Sequence, residues 1–515
     1  MALSLIPLSA ASTALLIAVP VHAGSFASAP PAQKSATHDE GQAIAEADLR
    51  SLVDDEAVRT IYEAAGWKPL WSEGSAQALD KLLAQRARHG LDRVAIVVDA
   101  GSGAGPAKRE IARTKTALRY ATALARGSVD PAALHDPYTL PRPEGDIGAG
   151  LAKAISDGTL AEWFDSLAPQ DAEYRQLSEA YVRYRNAASD ADGDEIAGSG
   201  LIRVGDEDER IPAIVERLRD NDYLAAASGD APTTYTQATA QAVEQLQRDH
   251  GIAVDGIIGP DTLQLLNRGP ADRARALAVA LERRRWLARS PASTRIDVNV
   301  AAARQHYFRD GDLVDSRKVI VGEPGNETPA LMSPIYRLVA NPTWTVPKSI
   351  QNSELADVGH DYLDSHNMEM RDGWIVQQSG PDNALGLVKF DMINDHAIYL
   401  HDTSAPELFG RSLRQLSHGC VRVDDAIGFA RLLAEHQGIT EEWEAARQSG
   451  EQTFVPLQRQ IPVRLLYHNV FVDEAGSLAF RTDPYRWNDG IAAALGFAKA
   501  GVKQHAKAER TDIGP

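Results

Sequence analysis

Cysteine is almost absent: the 515 residues hold one, Cys420. An intramolecular disulfide is therefore impossible, and zinc or iron–sulfur sites built from several cysteines are excluded. Basic charge is in deficit. There are 53 Lys and Arg against 71 Asp and Glu, a net charge of −18, which argues against a nucleic-acid binder, because phosphate contacts need a basic face. The acidic surplus promotes solubility and names no partner. Long apolar runs are missing beyond the N-terminal segment, and crossing a bilayer takes about 20 apolar residues. The bulk composition is that of ordinary soluble globular protein, 24% charged and 44% hydrophobic. At about 100–200 residues per domain, the length predicts about three or four units.

The first charged residue is Lys34. Before it an apolar stretch ends Leu15-Leu16-Ile17-Ala18-Val19-Pro20-Val21-His22-Ala23. Val21 and Ala23 supply the small residues of a signal-peptidase site, so residues 1–23 read as a signal peptide. A basic segment ahead of the apolar run is lacking. A membrane anchor is the rival reading, but Ser4, Pro7, Ser9, Ser12 and Pro20 dilute the run. The expected location is the periplasm, with membrane contact only through an uncleaved segment. In an oxidising compartment a lone thiol is a liability. Cys420 thus has two readings: a small buried apolar residue, or a nucleophile.

Composition and periodicity divide the rest. Residues 24–44 read as a polar linker and 45–195 as a helical domain, with helical spacing at 54–65, 76–89 and 174–185. An acidic, glycine-containing break follows at 188–194. Residues 205–270 form a compact unit with three helices predicted at 211–218, 236–249 and 261–266. Between the second and third lies Asp255-Gly256-Ile257-Ile258-Gly259-Pro260, a tight turn leading into a proline at a helix start. This ordered set resembles the peptidoglycan-binding type-1 module; a generic three-helix bundle is the plainer alternative. Residues 271–290 read as a connecting helix. From Arg295 the period becomes alternating, which predicts strands at 296–300, 306–308, 319–322, 374–378, 388–390, 463–467 and 478–481. Residues 348–378 lack strong periodicity and read as a long insertion, a candidate lid. The tail, 501–515, is expected to be disordered. The fold class is multidomain α+β.

The chemistry concentrates at 397–423. Ala397-Ile398-Tyr399-Leu400-His401 reads as a strand, and alternation puts Tyr399 and His401 on one face. A polar loop then returns as Leu416-Ser417-His418-Gly419-Cys420-Val421-Arg422-Val423. A cysteine nucleophile needs a base or imidazolium. His418 is too close in sequence to turn its ring onto Cys420, whereas His401 has a loop long enough to fold back. Gly419 permits a tight turn whose amide, with that of Cys420, could bind an oxyanion. Ser417 could orient an imidazole. A metal site from His396, His401 and His418 lacks a matching carboxylate spacing.

The run Ser417-His418-Gly419-Cys420-Val421-Arg422, preceded by His401, resembles the L,D-transpeptidase (YkuD-type) signature. Gly380-Pro381-x-Asn383-Ala384-Leu385-Gly386 with Lys389-Phe390, and Asn341-Pro342-Thr343-Trp344-Thr345-Val346-Pro347, match further. The order of units is similar to large Gram-negative members: helical scaffold, peptidoglycan-binding module, and a mostly-β catalytic domain, here 293–490, with a capping insertion. The resemblance implies Cys420 as nucleophile, His401 as base, Ser417 and His418 as supports, and Gly419 and Cys420 as oxyanion donors. It implies no metal and no cofactor. Arg422, where many relatives have Asn, could meet a substrate carboxylate or form a structural ion pair. Tyr399 could line the cleft or pack. Trp344 and Asn383 read as structural. The implied reaction joins peptidoglycan stem peptides through a cysteine thioester, with a tetrapeptide donor, D-Ala as leaving group and a diaminopimelate amine as acceptor. The implied partners are tetrapeptide stems and glycan strands, with other wall-synthesis enzymes as a further possibility and no nucleic acid; carbapenems would acylate the same thiol. Two alternatives stand: an L,D-carboxypeptidase or amidase, and an inactive wall-binding scaffold.

Overall fold

The computed structural model describes residues 44–188, 195–225 and 232–498. The expected signal peptide, residues 24–43 of the linker, residues 189–194 of the acidic break and the 501–515 tail lie outside them. Among the described residues no helix is long and apolar enough to cross a membrane.

The N-terminal part is helical. Several of its helices begin where a side chain accepts a hydrogen bond from the first turn: Asp55 from the Val58 N–H, Asp146 from Ala149 and Asp171 from Tyr174. The 21-residue helix Pro106–Arg126 starts at proline and buries Ile111, Ala117, Tyr120, Ala121 and Leu124. One element departs from expectation. The helix Pro270–Trp286, read as a connector, lies inside this core: Leu277, Ala278, Leu281 and Trp286 pack with Leu124, Leu177 and Tyr181. Val470, Phe480, Ile491 and Leu495, from near the C-terminus, join the same cluster. Packing therefore crosses the limits drawn from sequence at 290 and 490. Inside this core, fully buried Glu282 pairs with fully buried Arg285 and accepts from the Ser128 and Val129 amides and the Trp286 indole. Such a pair holds because most of its remaining hydrogen bonds are made, with Arg285 Nη1 donating to the His89 carbonyl and the Tyr174 hydroxyl and Arg285 Nε left without a partner.

The second unit has the three helices Ile211–Asp220, Gln237–His250 and Pro260–Leu266 around Ile211, Ile214, Leu218, Val243, Leu246, Ile258 and Leu265. Its Asp-Gly turn is fixed by buried Gln247. The side-chain oxygen of Gln247 accepts from the Asp255 and Gly256 amides, at 3.0 and 2.9 Å.

The C-terminal part is mostly β. Its strands are β1 (Arg295–Asn299), β2 (Arg304–Arg309), β3 (Asp312–Gly322), β4 (Met332–Ala340), β5 (Trp344–Thr345), β6 (Met368–Arg371), β7 (Trp374–Gln377), β8 (Val388–Met392), β9 (Leu400–His401), β10 (Gln415–Ser417), β11 (Val421–Val423) and β12 (Thr453–Leu466). The nine-stranded sheet runs β10-β3-β11-β9-β8-β4-β12-β1-β2, and a further pairing of β2 with β3 closes it into a barrel. Closure pairs both sides of the ring, and the short β10, which pairs with β3 alone, is the edge that remains. Val298, Val321, Leu338, Phe390, Leu400, Val421 and Val463 fill the interior with Phe429 and Leu433 of the helix Ala426–Gln437. Asp425 caps that helix by accepting from Gly428.

The insertion is more ordered than its sequence suggests. It holds the helices Lys348–Ser353 and His360–Ser365 and a small sheet, β5-β7-β6. Trp344, Val346, Ile350, Leu355, Leu363, Met368, Ile375 and Leu385 form its own core. Six-residue helices and four-residue strands are too short to show a period, and so the unit, reaching from 344 to 385, looked irregular and narrower. Tyr399 packs against this core, which seats the cap on the face where the motif residues lie.

Candidate active site

The site is built where β9 and β11 run side by side. They pair in parallel, Leu400 with Val421 and His401 with Arg422. Paired neighbours share a face. Ile398, Leu400, Val421 and Val423 point into the barrel, which turns Tyr399, His401, Cys420 and Arg422 to the opposite side. The expected strand at 397–401 shrinks to two residues. Asn394 explains this: its side-chain oxygen accepts from the His396 and Ile398 amides and its nitrogen donates to the Ile398 carbonyl. That local turn holds Ala397 at φ +54° and keeps it out of the ladder.

Cys420 is 5% exposed. Its thiol donates to the Ala397 carbonyl at 3.6 Å. The amide and hydroxyl of Tyr399 come near enough to the sulfur to favour its thiolate. Burial pushes the thiol up to about 11, against the weaker downward pull of the Tyr399 bonds and the Lys389 and Arg422 charges. The resting sulfur is therefore protonated at neutral pH. Burial, then the neighbouring Cys420, also holds the Tyr399 phenol well above its usual range.

His401 is fully buried. Its ring stands edge-on to Tyr399, with centroids 5.5 Å apart. Arg422, its partner across the ladder, is likewise fully enclosed, so it offers the site a buried positive charge. His396 is exposed at the Asn394 turn.

Ser417 does not act as the sequence suggested. Its hydroxyl donates to the Cys420 carbonyl at 2.6 Å and accepts from the Gly419 amide at 3.1 Å. It fixes the loop backbone rather than an imidazole. The same bond engages the Gly419 amide, expected as an oxyanion donor. Gly419 sits at φ +113°, where only glycine is at ease. His418 turns away from the thiol to the cap, with Nε2 2.7 Å from Glu354 Oε1.

Several contributors carry no sequence signal. Thr328 donates to the Gly419 carbonyl at 2.7 Å, and Tyr485 donates to the Gly322 carbonyl at 2.5 Å. The Gly322 amide in turn donates to the Thr328 hydroxyl. A β-carbon on Gly322 would fall 2.1 Å from the Asn326 carbonyl oxygen. The Gly322–Thr328 segment, Gly419 and Tyr485 lie 66–163 positions from one another, and only the folded chain brings them together. Glu354 was hidden in the aperiodic insertion. Lys389 was visible only as part of a motif match.

With this geometry in view, three family models match the chain. The YkuD L,D-transpeptidase catalytic domain covers residues 293–440, the Scaffold domain 56–180 and a candidate peptidoglycan binding domain 207–266. A curated candidate L,D-transpeptidase of Haemophilus influenzae is 32% identical over 220 residues, 38% of this chain and 45% of that protein. The chain thus spans less than half the length of that relative. Among solved structures, an L,D-transpeptidase from Mycobacterium smegmatis is 11% identical, covering 34% of this chain and 58% of that one with a TM-score of 0.20. One from Stackebrandtia nassauensis is 13% identical, covering 52% and 94% with a TM-score of 0.23. On the family models, the chain carries the catalytic, scaffold and peptidoglycan-binding domains of an L,D-transpeptidase-type multidomain architecture.

Proposed function

We propose that this chain is a periplasmic L,D-transpeptidase that cross-links peptidoglycan stem peptides through a thioester on Cys420. The observation that carries the proposal is the β9–β11 register, which puts Cys420, Tyr399, His401 and Arg422 on one face beneath the cap. A protonated resting thiol needs a base at the moment of attack, and His401 is that base. The sulfur attacks the carbonyl joining the third stem residue to terminal D-Ala. The S–C bond forms, the C–N bond breaks, and the proton taken from sulfur passes through the imidazole to the leaving amine. The Tyr399 hydroxyl, beside Cys420 in the β9–β11 register, and the Cys420 amide are the donors for the developing oxyanion. A diaminopimelate amine then displaces the thiolate and becomes the new amide. The cap limits the competing attack by water.

The test is product analysis. Purified tetrapeptide muropeptides are incubated with wild type and with Cys420→Ala, and products are weighed. Wild type gives dimers with loss of D-Ala; the variant gives neither. Monomers shortened by one residue, with no dimers, would make the chain a carboxypeptidase. Equal products from both would refute the thioester.

A further inference from the structure

The face that carries Cys420 continues across the barrel. β8 meets β9 with Lys389 opposite His401, and β4 with Asp391 opposite Arg337. Val388 and Phe390 point inward, so Lys389 and Asp391 share the outer face with Tyr399 and Cys420. There one carboxylate serves two cations. Asp391 lies 2.6 Å from Arg337 Nε and 2.8 Å from Lys389 Nζ. The cluster therefore keeps one surplus positive charge. The Asp391 side chain is 9% exposed and that of Lys389 25%, which strengthens the field at the site relative to open solvent. The Lys389 ammonium sits 4.1 Å from the centroid of the Tyr399 ring, and Tyr399 lies beside Cys420 in the β9–β11 register. An ammonium has three donors, and Asp391 engages one.

We infer that Lys389 reads the free carboxylate of the leaving residue, so that the site selects acyl donors ending one residue beyond the bond that is cut. The inference rests on the thioester reading of Cys420. Its geometry is simple. Consecutive Cα atoms lie about 3.8 Å apart, so the carboxylate of a terminal residue is about one residue length from the scissile carbon. Adjacent strands are about 4.8 Å apart. A carbonyl held at Cys420 thus places that carboxylate over the Tyr399 strand, where the ammonium is. Asp391 divides a single charge between Arg337 and Lys389, which leaves the three groups one net positive charge to meet an anion. A donor extended by another residue would put an uncharged amide there instead. Lys389 is on this account a specificity-determining residue. If it only steadied the Tyr399 ring or lowered the thiol pKa, its loss would affect all donors alike.

The experiment uses the full chain and two synthetic tetrapeptide donors that differ only at the end, free D-Ala or D-alaninamide. Acylation of Cys420 is read by intact mass and kcat/KM by D-Ala or D-alaninamide release. Wild type should favour the free acid by about tenfold or more, the factor for one partly desolvated charge pair. Lys389→Met should lose that preference, with the fall in kcat/KM larger on the free acid than on the amide and the excess appearing in KM, and Lys389→Arg should restore it. Equal losses on both donors, or no preference in wild type, would overturn the inference while leaving the thioester standing. The wild-type preference stands as a test even if Lys389→Met fails to fold. Failure of wild type to acylate on either donor would overturn the thioester reading and this inference with it.

Discussion

Replacing Ser417 with alanine separates two accounts of the catalytic loop. The sequence suggests that this hydroxyl orients an imidazole. In the structure it bridges the Gly419 amide and the Cys420 carbonyl and is fully buried. Alanine would leave one donor and one acceptor without a partner, each costing about 1–3 kcal/mol. With partial relaxation of the loop, the expected loss is about 2–4 kcal/mol for the pair. Thermal unfolding of wild type, Ser417→Ala and Ser417→Thr reads that loss, and threonine, which keeps the hydroxyl, should recover most of it. Donor turnover should fall in the alanine variant because the Cys420 backbone loses an anchor. The limbs of its pH–rate profile should stay in place, since the hydroxyl touches no ionising group. Wild-type stability combined with a displaced limb would refute the structural account and return Ser417 to the imidazole.

Four further outcomes follow from the structure. With the thiol at about 11 against an ordinary value of 9, its thiolate fraction at pH 8 is about a hundredfold below that of an exposed thiol. Iodoacetamide labelling should accordingly climb until about pH 11, and a midpoint at 9 or lower would contradict it. The sign for stability is set by the unfolded state. Below 9 both states keep the proton, and between 9 and about 11 only the unfolded chain loses it. Stability therefore falls as pH rises through that window, and Cys420→Ala should flatten the slope in equilibrium unfolding. Glu354→Gln removes the charge that holds the cap to His418; labelling of Cys420 at pH 8 should quicken by about fivefold, the factor for about 1 kcal/mol, and an unchanged rate would mean the cap stays seated without it. Glu282→Gln strands the buried Arg285 guanidinium and should cost about 3–5 kcal/mol in unfolding experiments; a loss below 1 kcal/mol would show that the pair is dispensable.

What could be read in advance was whatever the chain writes locally. Helix starts at Asp55, Asp146 and Asp171 follow from residues a few positions apart. The Ser417–Arg422 run is likewise contiguous. Alternation put Tyr399 and His401 on one side, and the structure keeps them there although β9 is only two residues long. The ladder to β11, rather than strand length, imposes the side. What escaped was whatever depends on assembly. Nothing near Ser417 or His418 tells which neighbour each will meet, because both partners are decided by the path of the returning loop. Ser417 turned to its own backbone, and His418 to a glutamate 64 positions away. The Thr328–Tyr485 support and the burial of the Pro270–Trp286 helix are of the same kind. The motif thus names its atoms, while the register and the cap decide which atoms meet the sulfur. By register that neighbour is Tyr399, with His401 on the next rung beside Arg422, so any account of proton transfer at this thiol must route through a face that carries a phenol, an imidazole and two cations together.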